Sequence, residues 1–144
     1  MKFWDASALV PTFLDEVSTQ QVRNWQASDP SVTIWMMTVV EVMSAIARKQ
    51  RERPDLAELC KQAIFDVRDA AVTWVQIEDA AAARHHAERI IMNYPLRAAD
   101  AHALQLGAAL VAADGEPQSL ELVTLDRRLA EAARREGFPV LGVR

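Results

Sequence analysis

The stretch Leu120 to Val143, LELVTLDRRLAEAARREGFPVLGV, decides the fold. Leu120 to Thr124 is short, apolar and bounded by a loop, the pattern of a buried strand. Arg127 to Arg135 follows with charged and apolar residues at helical spacing. Gly137 sits where a helix-terminating glycine is wanted, and Pro139 to Val143 reads as another strand. A strand, a helix and a strand in so few residues make a parallel pair with a crossover helix.

Working outward, the same alternation recurs. Met1 to Trp4 reads as a buried strand that ends at Asp5, and Val32 to Met36 as a second. Val72 to Val75 is a third apolar run. Between the strands lie helical patterns at Ala6 to Glu16 (interrupted by Pro11), Ser18 to Ala27, Thr38 to Arg51, Leu56 to Arg68, Glu78 to Asn93 and Ala98 to Ala113. Alternating strands and helices predict an α/β domain: a central, mostly parallel sheet of about five strands with helices on both faces. The 144 residues suit one domain spanning 1–144.

Composition narrows the function classes. A net charge of −4 predicts no general affinity for nucleic acid, although a bound cation or local arginines can reverse the field at one site. The single cysteine, Cys60, leaves no internal disulfide and reads as a core residue. The opening MKFWDASALV lacks the long apolar stretch of a signal peptide, and no segment approaches a membrane span. A cytoplasmic protein with no membrane association is expected. No glycine-rich phosphate loop occurs among the four glycines.

Four acids stand at or near changes of element: Asp5, Glu41, Asp100 and Asp126. Each has a local explanation. Thr38-Val-Val-Glu41 matches a capping box, and Asp5, Asp100 and Asp126 can each cap or charge a helix N-terminus. Together they point further. In an open parallel sheet the carboxyl ends of the strands share one crevice, and carboxylates gathered there repel unless a cation holds them. Hard oxygen ligands without paired His or Cys suit Mg²⁺ or Mn²⁺ rather than zinc. Ser7, Thr38 and Thr124 are short polar neighbours that can support the site. Arg97, Arg127 and Arg128 flank it and can contact substrate phosphates. His85 and His86 are adjacent on a helix, hence about 100° apart, and His102 lies on a different face from Asp100.

The chain resembles the PIN-domain family, most of all the VapC-type toxins of bacterial type II toxin–antitoxin systems. The resemblance rests on DASAL at Asp5 to Leu9, TVVEV at Thr38 to Val42, LRAADAHAL at Leu96 to Leu104, VTLDRRLA at Val123 to Ala130 and GFPV at Gly137 to Val140. It implies a PIN-like three-layer fold and a divalent-metal-dependent endoribonuclease. It implies that Asp5, Glu41, Asp100 and Asp126 hold Mg²⁺ or Mn²⁺, with Thr124 at a supporting position. It also implies an RNA substrate, a cognate antitoxin and a homodimer. Two rivals remain at this point: a PIN-like binding module without catalysis, and a receiver-type phosphoacceptor domain. The receiver would need a second acid after the first strand and a lysine near the last strand, and no lysine follows Lys61.

Overall fold

The computed structural model describes residues 1–96 and 102–143. Five strands form it: β1 (Lys2–Trp4), β2 (Val32–Trp35), β3 (Val75–Ile77), β4 (Glu121–Thr124) and β5 (Val140–Gly142). The helices are α1 (Ala6–Phe13), α2 (Thr19–Ala27), α3 (Thr38–Glu52), α4 (Ala57–Ala71), α5 (Ala80–Asn93), α6 (His102–Ala112 among the described residues) and α7 (Arg127–Arg135). The sheet order is β3-β2-β1-β4-β5, and every pairing is parallel. The chain builds outward from β1 in one direction, then returns to its other side with β4. The switch point between β1 and β4 is where an open sheet forms a crevice. This order is not the 2-1-3-4-5 of receiver-like folds, so the receiver reading falls on topology.

Period-2 alternation along the central strands divides the core into two layers. Phe3, Trp35 and Leu122 pack with Ala83, Ile90, Leu106 and Leu129 of α5, α6 and α7. Trp4, Ile34 and Val123 face the other way, onto Leu9, Val22, Ile46, Cys60 and Val67 of α1 to α4. The core reading of Cys60 therefore holds, and Trp4, Trp35 and Trp74 are buried as well. The third strand lies later than Val72 to Val75 suggested. Helix α4 runs on to Ala71, Val72 stands almost fully exposed, and Trp74 turns inward with its ring 6.1 Å from that of Phe13. Apolar content alone could not separate that helix end from a strand. At the other end of the chain Gly137 stops α7 as expected. Its φ of +101° lets its own N–H reach Arg134 O at 3.0 Å while the Phe138 N–H reaches Ala133 O at 3.0 Å, a paired helix termination.

Two contacts position α6, which delivers residues to the crevice, and α7. Gly107 of α6 lies against Ala83 of α5 so closely that a Cβ there would sit 2.3 Å from the Ala83 carbonyl oxygen. Glu136, at the end of α7, accepts from Arg89 Nη1 at 2.9 Å and Tyr94 Oη at 2.6 Å, tying α7 to the end of α5. The Arg89 guanidinium holds the Glu136 carboxyl below its ordinary 4.5, with Tyr94 acting the same way and burial opposing both.

Gly107→Ala is expected to destabilise the fold by about 1–3 kcal/mol through overpacking, although alanine is the better helix former by about 1 kcal/mol. Urea denaturation checks it, and an unchanged midpoint would show that α5 and α6 can part freely. Glu136→Gln should cost about 1 kcal/mol at pH 7, a modest figure because Arg89 is half exposed. A depressed carboxyl pKa stabilises the fold fully above the unfolded value of 4.5, and the gain is lost as pH falls through the folded value. The gap in melting temperature between wild type and Glu136→Gln should stay constant near neutrality and close below about pH 4.5.

Candidate active site at the carboxyl ends of the strands

The crevice is built on Asp5. The residue continues the β1–β4 ladder, its N–H donating to Val123 O at 3.0 Å, and then starts α1 as its N-cap. Its side chain is 3% exposed, which demands partners for the charge. Oδ2 accepts from the Ser7 backbone N–H at 3.2 Å, from the Ser7 hydroxyl, and from the Thr124 hydroxyl at 2.9 Å. Both hydroxyls donate their one O–H to the carboxylate, so both act as acceptors elsewhere. Ser7 Oγ receives the Leu125 N–H at 2.9 Å, and Thr124 Oγ1 receives the Asp126 N–H at 3.0 Å. One carboxylate oxygen thus locks the end of β1, the start of α1 and the turn after β4 together. Oδ1 receives no hydrogen bond from the described residues.

Glu41 reaches the crevice from the first turn of α3. The capping box that Thr38 and Glu41 could form is absent: the N-cap is Met37, and no side chain caps the helix. The Glu41 carboxylate turns instead to Gln105 of α6, whose Nε2 donates to Oε2 at 2.8 Å. The same Nε2 donates to Thr38 Oγ1 at 3.0 Å. Burial pushes the Glu41 carboxyl above its ordinary range, the Gln105 bond lowers it, and the Asp5 charge raises it, which marks Asp5 and Glu41 as neighbours in one field.

Asp126 serves α7 as its N-cap, Oδ1 accepting from the Leu129 N–H at 2.8 Å. Its Oδ2 lies 3.7 Å from His102 Nε2, and His102 Nδ1 is buried without a partner among the described residues. Arg127 and Arg128 are exposed on the first turn of α7, beside the crevice. Asp100 and Arg97 lie outside the described residues. Among the described residues no three Asp, Glu, His or Cys side chains are grouped closely enough to hold a metal ion.

The local explanation holds for Asp5 and Asp126, which cap α1 and α7. Gln105 and the His102–Asp126 approach escaped sequence reasoning. The available signal for Gln105 was one amide inside the apolar run AHALQLGAALV, fully buried in the fold. A buried polar side chain needs partners, and its partners here are two of the singled-out residues.

The donor set fits a hard divalent cation. The acceptors are carboxylate oxygens, and Asp5 Oδ1 and Glu41 Oε1 are committed to no donor among the described residues.

The PIN domain family profile matches residues 2–135, and the chain belongs to that family. The fold is similar to that of a toxin–antitoxin complex from Klebsiella pneumoniae, with 20% identity, 98% of this chain and 96% of the other covered, and a TM-score of 0.66. It is also similar to FitAcB from Neisseria gonorrhoeae (19% identity, 99% and 97% covered, TM-score 0.55). A third similar structure is FitAB bound to an IR36 DNA fragment (18% identity, 99% and 94% covered, TM-score 0.57). At these identities the likeness is one of fold. No curated protein sequence matches the chain. No helix among the described residues is long and apolar enough to cross a membrane.

Proposed function

We propose that this PIN domain is a divalent-metal-dependent endoribonuclease, the toxin of a type II toxin–antitoxin pair. The observation that carries the reading is Asp5: a buried carboxylate with one oxygen saturated by three donors and the other without a donor among the described residues, in the field of Glu41. A neutral acceptor would serve the same three donors, so what remains to be explained is the charge, and a cation explains it. Family membership and the fold's likeness to toxin–antitoxin complexes support the same direction.

Asp5, Glu41, Asp100 and Asp126 would hold Mg²⁺ or Mn²⁺. Such an ion supplies Lewis acidity, lowering the pKa of water and neutralising charge on a phosphodiester under attack. The protein's own residues supply the rest. Ser7 and Thr124 fix the Asp5 carboxylate so that it need not reorganise. Arg127 and Arg128, exposed on α7, would neutralise and orient RNA phosphates against an otherwise acidic chain, and Arg97 is proposed for the same role from its place in the sequence.

The partner reading has its own support. A cavity of about 260 Å³ among α1 to α4 has apolar walls from Phe13, Leu14, Leu56 and Leu59 and a charged margin from Asp15, Arg23, Lys49 and Asp66, and suits an amphipathic segment of an antitoxin. Met36, Val72 and Val75 are exposed apolar side chains around the β3 edge, a surface suited to a second copy. A cytoplasmic location accompanies this reading.

Asp5→Asn should abolish detectable Mn²⁺ binding in calorimetry and lower RNA cleavage at least about 100-fold while the fold persists, since Asn retains an acceptor for Ser7 and Thr124. Arg127→Ala with Arg128→Ala should leave Mn²⁺ binding unchanged, weaken RNA binding, and flatten its dependence on salt. Undiminished cleavage by Asp5→Asn would remove Asp5 from the catalytic site, whereas wild-type protein that neither binds Mn²⁺ nor cleaves RNA would leave a binding module as the better description.

A further inference from the structure

Gln105 is the one fully buried amide in the described protein, and its surroundings are otherwise apolar: Ala103, Leu106, Ala108 and Ala109 of the same helix are buried in the core. A buried amide with an apolar alternative at hand carries a desolvation cost unless its hydrogen bonds are met. They are met by two groups on the first turn of α3. One Nε2 hydrogen goes to Glu41 Oε2 at 2.8 Å and the other to Thr38 Oγ1 at 3.0 Å. The amide orientation follows from chemistry. A glutamate carboxylate only accepts, so the nitrogen must face it, because the reversed amide would set two acceptor oxygens against each other.

The arrangement does something that packing does not. Glu41 has three rotatable side-chain bonds and lies at the half-buried rim of the crevice. Without a partner its carboxylate could swing to solvent, away from Asp5. Thr38 is fully buried and supplies no cap to its own helix, so its hydroxyl is available to anchor the amide. Gln105 in turn is carried by α6, which Gly107, two residues on, seats against α5. The rigid part of the fold therefore reaches Glu41 through one amide.

We propose that Gln105 is a positioning residue, fixing the Glu41 carboxylate beside Asp5 for cation binding. The role rests on the nuclease reading above. It acts through Glu41 and touches neither substrate nor reacting atoms. Partners that orient a ligand typically contribute 10–100-fold to metal affinity or activity.

The test is Gln105→Met, which keeps the volume and removes both donors, and Gln105→Asn, which keeps the amide but shortens its reach. Each is compared with wild type by Mn²⁺ calorimetry, circular dichroism melting, and cleavage kinetics on an RNA substrate. Gln105→Met should melt near the wild-type temperature, bind Mn²⁺ about 10–100-fold more weakly, and lose kcat while KM for RNA is unchanged. Gln105→Asn should fall in the same direction, and it decides the matter if the methionine variant does not fold. Wild-type Mn²⁺ affinity in the folded variant overturns the role of Gln105 and leaves the nuclease reading standing. Wild-type protein that neither binds Mn²⁺ nor cleaves RNA overturns both.

Discussion

The hydrogen bonds on Asp5 Oδ2 are the constraint on which the site depends. A carboxylate that is 3% exposed must be compensated, and here the compensation comes from Ser7 and Thr124, on either side of the switch point between β1 and β4. The same hydroxyls then accept the Leu125 and Asp126 N–H groups, which bends the chain after β4 so that Asp126 starts α7. Removing the acceptor oxygen altogether would therefore loosen more than a ligand. It would release the two turns that define the crevice floor. Saturation of one oxygen leaves Oδ1 without a donor among the described residues, the acceptor that the proposed cation would take.

A second layer of the same logic operates at Glu41. Asp5 is held from the sheet and its flanking turns, whereas Glu41 is held from a helix across the crevice, through Gln105 and Thr38. Two acids from distant parts of the chain are thus oriented by separate supports, and the Glu41 carboxyl is raised first by burial and, to a lesser degree, by the Asp5 charge. Mutual repulsion of this kind is stable only where burial and hydrogen bonding fix the groups, and it favours a cation between them.

Much of this was legible in the sequence. The strand–helix–strand pattern of Leu120 to Val143 gave the parallel architecture, and Gly137 gave its helix stop, because local backbone chemistry determines both. Asp5, Ser7 and Thr124 could be grouped in advance because strand ends of a parallel sheet meet at one edge. Three things were less legible. The third strand shifted to Val75–Ile77 because an apolar run at a helix end carries no period to distinguish it. The Thr38–Glu41 spacing matched a capping box, but tertiary bonding to Gln105 won over the local motif. Gln105 itself lies 64 residues from its carboxylate partner, and no local pattern announces such a pairing.

The most direct measurement is anomalous diffraction from crystals of the wild-type protein soaked in Mn²⁺. The expected result is a peak about 2.1 Å from Asp5 Oδ1, with Glu41 coordinating directly or through water. A site filled with Mn²⁺ elsewhere, or full-strength soaks that leave the Asp5–Glu41 crevice without a peak, would contradict the reading of these carboxylates as a cation site.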